Sequence, residues 1–328
     1  MPNEDGVGFL RLAKQLGYRK RIIVISGERP EILKGAERLA HMYGLQCIGA
    51  YRKPFHPALM LDVLLKEQPE ASELKVDTSA NETVKLREVH YQPRIDLETE
   101  RCVGAEALSR FCNSFGHPLN TEHAIMTAEK TGAIEELTWS MIDQVLVDAR
   151  QLRDTLGYMF NLSFNISSAV ASRHGFAGEL KNRVEAAGLK TSSFTVELTE
   201  TQLSQNMAQC LENLTKLRIA DFGLALDDFG TGHANIDQLA SFPFTELKVD
   251  KRFVMRAEKD RFAETCVDAA VNIAKAMNLR VIAEGIEDEW AFDFVRKLAV
   301  EEGQGYLFSK AVPVSELADF VQWTHQNV

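Results

Sequence analysis

Two carboxylates stand side by side at Asp227 and Asp228, inside the stretch LALDDFGTGHANI (residues 224–236). Like charges in contact raise each other's pKa, so such a pair stays ionised only where a cation sits on it or bulk water screens it. A solvated turn would account for it, since Asp and Gly both favour loops. It would not account for a series. At or near the carboxyl ends of successive apolar runs come Glu106, Asn165, Glu197, Asp227 with Asp228, Lys248, Glu284 and Gln304. From Asn165 onward they are 20–36 residues apart. Glu106, Asn165, Glu197 and Asp227 offer oxygen ligands only, the donors that hard cations such as Mg²⁺ or Mn²⁺ prefer. With Asp228 beside it, Asp227 can bridge two ions about 3.5–4 Å apart, an arrangement suited to in-line attack of water on a phosphodiester. Lys248 would add a fixed cation beside the water or the phosphate. Glu284 would assist proton removal or ligate the second ion.

Some of these residues, and others near them, also have a plainer reading. Asn is a favoured helix cap, which Asn165 could be. Lys248 could be a surface lysine, but its place between Leu247 and Val249 implies an inward side chain that needs a partner. His233 is a lone loop histidine and reads as solvated. Gly230 and Gly232 read as turn formers, because no P-loop Lys-Ser follows them.

The elements that must position these groups are legible as eight strand-like runs: VHYQPRI, CVGAEAL, MFNLSFNIS, FTVELTE, LALDDF, TELKVD, RVIAEGI and GQGYLF. Helical patterns such as EELTWSMIDQVLVDARQL, MAQCLENLTKL and AETCVDAAVNIAKAM lie between them. Eight strands alternating with helices over roughly 240 residues match an α/β fold of the (β/α)₈ barrel type, whose active sites sit at the carboxyl ends of the strands. A doubly wound open sheet is the rival, without the glycine fingerprint it often carries. Residues 67–86, KEQPEASELKVDTSANETVK, are polar and aperiodic and read as a linker. They divide a small N-terminal piece, 1–66, from a large domain, 87–328.

Bulk composition narrows the partners. The chain has 328 residues, 45% hydrophobic and 26% charged, with 37 Lys and Arg against 47 Asp and Glu, a net charge of −10. Such a surface repels a nucleic-acid polymer. Five scattered cysteines without a CxxC pair read as reduced thiols. There is no signal pattern and no apolar run near the roughly 20 residues that span a bilayer. A cytoplasmic protein without membrane contact is the expectation.

The residues YQPRIDLETERCVGAEALSRF (91–111) resemble the opening of the EAL domain family of cyclic di-GMP phosphodiesterases, with Glu106-Ala107-Leu108 as the signature tripeptide. The resemblance continues in register through FNIS (164–167), ELTE (197–200), DDFGTG (227–232), LKVD (247–250), AEGIE (283–287) and QGYLF (304–308). It implies a barrel that hydrolyses cyclic di-GMP to linear pGpG with two Mg²⁺ or Mn²⁺ ions. It also implies roles. Glu106, Asn165, Glu197 and Asp227 match the ligands of one ion, and Asp227 with Asp228 those of the other. Lys248 and Glu284 match groups that position and activate the water, and Gln304 a support for metal-bound waters. Gln92 and Arg110 match contacts to the substrate's guanine and phosphate ends. Glu200 matches a prop for the loop after DDFG, and Glu287 a supporting acid. The chain departs from the family at His233-Ala234-Asn235, where Tyr-Ser-Ser is usual in a loop coupling dimer contacts to metal binding. Ser109 and Phe111 replace Leu and Trp, and Ala311 a proline. A degenerate domain that binds cyclic di-GMP without cutting it is the alternative, and a homodimer is expected.

Residues 20–66 read strand, helix, strand, helix, the βαβα pattern of a parallel sheet. They resemble the second half of a response-regulator receiver domain, with Ser26 and Lys53-Pro54 at its hydroxyl and lysine-proline positions. MPNEDGVGFLRL resembles the stretch following the phosphoacceptor strand, so the expectation is an incomplete receiver without its acceptor aspartate.

Overall fold

The computed structural model describes residues 6–18, 20, 22–27, 29–53, 83–199, 207–230 and 240–327. Residues 1–78 and 79–328 form two separate units. In the first, strand β1 (Ile22–Ser26) runs parallel to β2 (Cys47–Arg52). Parallel neighbours need a crossover, here the helix Pro30–Met42, which opens with proline where no backbone donor is required. A further helix, Gly6–Gln15, was not foreseen from the sequence. Leu10, Ala13, Ala40, Leu45 and Cys47 form this unit's small core. The helix expected at 56–67, Pro54 and most of the linker lie outside the described residues.

The second unit is a closed barrel. Its strands are β3 (Lys85–Asp96), β4 (Cys102–Cys112), a two-residue β5 (Pro118–Leu119), β6 (Asn161–Asn165), β7 (Phe194–Thr199), β8 (Gly223–Phe229), β9 (Glu246–Val249), β10 (Arg280–Glu284) and β11 (Glu302–Gln304). The order β3-β11-β10-β9-β8-β7-β6-β4 closes through the β3–β4 pairing, and β5 hangs on β4. All eight expected strands are in the wall, and β3 begins at Lys85, inside the stretch read as linker. β3 runs antiparallel to both neighbours, a feature the sequence reading did not contain. The cause is local. Asp96 Oδ1 accepts hydrogen bonds from the backbone N–H of Glu98 and Thr99, and Glu100 adopts φ 55°. This tight Asx turn makes a hairpin, and hairpin partners are antiparallel. β11 is shorter than the run GQGYLF. After Gln304 the chain turns against Ile286, so closely that a Cβ on Gly305 would lie 2.0 Å from the Ile286 carbonyl oxygen.

Helices such as Ile134–Leu156, Phe176–Ala186, Met207–Ile219 and Arg261–Ala276 cover the outside. Strand alternation sends Val196, Leu198, Leu224, Leu247 and Val281 to that apolar interface. The opposite faces carry ions into the interior. At the strands' amino ends, fully buried Arg94 donates to Glu246 at 3.0 Å and Asn161 at 3.2 Å, with Glu302 3.5 Å away. Arg280 reaches Glu302 at 2.9 Å from the rim. Gly104 faces Arg94 in register, and a Cβ there would meet its guanidinium at 2.7 Å. Two arginines balance two glutamates in this lower layer.

Removing one partner of a buried ion network leaves the others uncompensated and costs about 3–5 kcal/mol. Arg94→Ala should lower the urea-unfolding free energy by that amount. A loss below about 1 kcal/mol, the worth of an exposed pair, would contradict the picture of a dry ionic layer.

Candidate active site

The upper interior layer is built from the carboxyl ends of the same strands. Asn165, Glu284 and Gln304 are the last residues of β6, β10 and β11. Register places Asn165 beside Glu197, Glu284 beside Gln304, and Gln92 opposite Glu106. At the centre is Lys248 of β9, fully buried. Its Nζ lies 2.7 Å from Glu197 Oε2, 2.8 Å from Glu284 Oε1, 2.9 Å from Glu106 Oε2 and 3.3 Å from Asp227 Oδ1. Two amides stitch the acids together. Asn165 Nδ2 donates to Glu106 Oε1 at 2.9 Å, and Gln304 Nε2 donates to Glu106 Oε2 at 2.8 Å and Glu284 Oε1 at 3.0 Å. The backbone N–H of Asp228 donates to Asp227 Oδ1 at 3.0 Å.

Unlike the lower layer, this one is unbalanced. Glu106, Glu197, Asp227, Asp228 and Glu284 face one ammonium, which leaves four negative charges when all are ionised, the amount two divalent ions neutralise. The electrostatics follow. Burial opposes the Lys248 charge, but Asp227, Glu106, Glu197 and Glu284 hold its pKa well above the usual lysine value. Burial also raises the Glu106 carboxyl, yet Lys248, Gln304 and Asn165 outweigh it and leave the pKa low. Burial and the Glu106 charge push Glu197 up to about 8, and burial with the Asp227 charge pushes Asp228 up to about 6. Asp227 and Glu284 are also raised, burial first, against the pull of Lys248.

Oxygen atoms of Glu106, Glu197 and Asp227 lie within 4.8 Å of one another, and so do those of Asp227, Asp228 and Glu284. Asp227 belongs to both triads. Glu197 Oε1 is buried and finds no hydrogen-bond partner among the described residues. Such an atom is costly unless something fills the place. An all-oxygen, strongly anionic donor set with an orphaned carboxylate oxygen fits hard divalent cations.

The site opens into a cleft of about 290 Å³ whose walls include Gln92, Leu108, Lys251, Glu287 and Tyr306. A mainly apolar cavity of about 220 Å³ begins at the other side of Leu108, walled by Phe111, Ile125, Leu137, Met141 and Asn165. The structure thus brings together Glu106, Asn165, Glu197, Asp227, Asp228, Lys248, Glu284 and Gln304, with Gln92 and Glu287 at the cleft wall. Arg110 shares the strand face of Glu106 and Leu108, but its guanidinium donates to the Ser109 carbonyl at 3.3 Å and is not among the cleft walls. Glu200 and the loop His233-Ala234-Asn235 lie outside the described residues. Sequence reasoning missed Lys251, Tyr306 and Asp250. Asp250 was visible in LKVD, but an aspartate before a helix reads as a cap, and it is one: it accepts from the Arg252 N–H.

Residues 79–311 match the model of the family described as the EAL domain. The cyclic di-GMP phosphodiesterase RocR of Pseudomonas aeruginosa is 28% identical over 331 residues, 98% of this chain and 84% of RocR. The probable cyclic di-GMP phosphodiesterase PdeB of Escherichia coli is 31% identical over 73% of this chain, which spans 45% of PdeB. Among solved structures, the c-di-GMP complex of the PaMucR phosphodiesterase aligns with a TM-score of 0.66 at 27% identity, over 70% of this chain and 93% of that one. EAL enzyme Bd1971, in its cAMP and cyclic-di-GMP bound form, aligns with a TM-score of 0.68 at 29% identity, over 71% and 64%.

The raised carboxyls predict a pH signature in metal-free protein. Glu197 and Asp228 keep protons in the folded state at pH values where the unfolded chain, with values of 4.5 and 3.8, has lost them. Their contribution to stability is full below the unfolded values and is lost as pH rises through about 6 and about 8. With EDTA present, the melting temperature should therefore fall between about pH 5 and pH 8, and saturating Mn²⁺ should flatten the slope. A metal-free melting temperature independent of pH in this window would contradict these assignments.

Proposed function

The chain belongs to the EAL domain family, and on that premise we propose that it hydrolyses cyclic di-GMP to linear pGpG by in-line attack of water on one phosphodiester. The observation that carries this reading is the cluster of four carboxylates around Lys248, with Asp228 beside Asp227, four negative charges in excess when all are ionised, at the barrel face where such enzymes work. Glu106, Asn165, Glu197 and Asp227 would hold one Mg²⁺ or Mn²⁺ ion, and Asp227 with Asp228 the second. When bound, such a pair supplies charge neutralisation, polarisation of the phosphoryl oxygen and an acidified water. Lys248 keeps Glu106, Glu197 and Asp227 aimed at one point and brings a cation to the phosphate. Glu284, 2.8 Å from the Lys248 ammonium, is the acceptor for the proton that leaves the attacking water. Gln304 holds Glu106 and Glu284 in mutual register.

Gln92 would receive a guanine and Arg110 a phosphate, which requires the guanidinium to leave the Ser109 carbonyl. The apolar cavity beyond Leu108 is of a size to take a base, with Ser109 and Phe111 shaping it. Glu287 and Glu200 are supporting acids in this scheme. Residues 1–66 are a receiver-like segment, joined through 67–86 to the catalytic barrel, in a cytoplasmic protein. No helix among the described residues is long and apolar enough to cross a membrane. Among the described residues this sheet has two strands, fewer than independent sheets normally have, which supports a homodimer joined through this segment. Light scattering should give twice the chain mass for the full chain and the single mass once residues 1–80 are removed; a monomeric full chain would exclude that role.

Incubation with cyclic di-GMP and Mn²⁺, with products resolved by chromatography, tests the activity directly. The expected product is pGpG, and Glu106→Ala should reduce turnover by about 10²–10³-fold, the usual cost of removing preorganised electrostatic stabilisation, while the barrel stays folded. Tight binding of cyclic di-GMP without any pGpG would instead identify a sensor.

A further inference from the structure

Side chains alternate along β3, so Gln92 faces the interior opposite Glu106 while Tyr91 faces the helix Ile134–Leu156. The cluster that Tyr91 joins is apolar, with Val89, Ala107, Ile142 and Val145 among its members. A polar bond crosses it. Tyr91, fully buried, donates from its hydroxyl to Oδ2 of the buried Asp148 at 2.5 Å. Gln144, one turn earlier on the helix, donates to the other oxygen, Asp148 Oδ1, at 2.9 Å. Burial and the Asp148 charge push the Tyr91 phenol above its usual value, so it remains a donor. The backbone of the same residue is held as well: the Tyr91 N–H donates to the Val312 carbonyl at 2.7 Å, and the Val312 N–H donates back at 2.9 Å. Next along, Gln92 Nε2 donates to the Ser309 carbonyl at 3.4 Å. Gln92 and Tyr306 are both walls of the cleft. We infer that Asp148, on a helix outside the barrel, is a positioning residue for substrate recognition: by fixing Tyr91 it sets where Gln92 and the segment from Tyr306 to Val312 stand along the cleft. The inference rests on the reading of this cleft as the cyclic di-GMP site.

Packing alone does not require this pair. Two apolar side chains of similar shape would fill the same interface, and replacing both partners of a buried hydrogen bond in that way can be nearly neutral for stability. What the polar pair adds is a single permitted arrangement. If β3 slid or rolled against the helix, a phenol and a carboxylate would be left buried and unpaired, at a cost that apolar contacts do not carry. For β3 this matters, because a slip of one residue turns Gln92 away from the cleft. Gln144 takes one carboxylate oxygen and leaves the second for Tyr91, which fixes the plane of the acceptor. A contact weakened by displacement of a cleft wall is lost to substrate and transition state alike, so it acts on KM and not on kcat.

The test is steady-state hydrolysis by the full chain with Mn²⁺, on cyclic di-GMP and on bis(p-nitrophenyl) phosphate, a single phosphodiester that carries no guanine. Asp148→Ala should raise KM for cyclic di-GMP at least about tenfold, against the roughly 10²-fold that misplacement by about 1 Å can cost. Its kcat and its turnover of bis(p-nitrophenyl) phosphate should stay as in wild type. Asp148→Asn keeps an acceptor for the Tyr91 hydroxyl, and Gln144 can turn its amide to suit, so this variant should have the wild-type KM. The decisive variant changes both partners, Tyr91→Phe with Asp148→Leu. Its melting temperature should stay near that of wild type while its KM rises as in Asp148→Ala, and it decides should the alanine variant not fold. A wild-type KM in the folded double variant would overturn the inference and leave the bond a structural one. Equal loss of turnover on both substrates would overturn it too. A wild-type chain that cleaves bis(p-nitrophenyl) phosphate but not cyclic di-GMP would instead overturn the reading of the cleft on which the inference rests.

Discussion

One ammonium group inside a barrel governs this molecule. Lys248 Nζ has three protons and four carboxylates within 3.3 Å. The acids come from β4, β7, β8 and β10, so the lysine ties together strands that are remote in sequence. Attraction to it keeps the acids close, yet one positive charge cannot neutralise five negative ones. In a low-dielectric interior that excess is tolerated only with protons or with cations from outside. Burial and neighbouring charge raise the carboxyls of Glu197 and Asp228, which favours the first course in metal-free protein as pH falls. The orphaned Glu197 Oε1 points to the second.

The contrast with the lower layer gives this interpretation its weight. Arg94 and Arg280 face Glu246 and Glu302 in a charge-balanced network, although Arg94 Nε and Glu302 Oε2, 3.5 Å apart, make no hydrogen bond. Both layers use the same device, polar residues on the inward face of strands whose outward face is apolar. Of the two, the upper layer is the one left short of positive charge, and it opens into a cleft. The barrel thus separates an ionic layer that holds the wall together from an acidic one whose all-oxygen donor set fits hard cations.

Much of this was legible in the sequence, for identifiable reasons. Glu106, Glu197, Asp227 and Lys248 interrupt strongly apolar runs, and an ionisable residue there must face an interior partner. Their recurrence at β/α spacing made one rim the common meeting point. Other features had no such signal. The antiparallel β3 depends on an Asx turn at Asp96 that resembles any polar loop. Asp250 was hidden because the capping function it does have explains its presence. Arg94 read as one more residue in YQPRID, and only Gly104 opposite it shows the space a buried guanidinium requires. The orientation of Arg110 toward the Ser109 carbonyl could not be read from residue types at all.

The central claim is that the carboxylate excess around Lys248 exists to hold two divalent ions that share Asp227. Crystals of the protein grown with Mn²⁺ and cyclic di-GMP would test it through anomalous scattering at the manganese edge. The account predicts two peaks about 3.5–4 Å apart, one among Glu106, Asn165, Glu197 and Asp227, the other against Asp227 and Asp228. A single peak, or none within reach of Asp227 at saturating Mn²⁺, would contradict it.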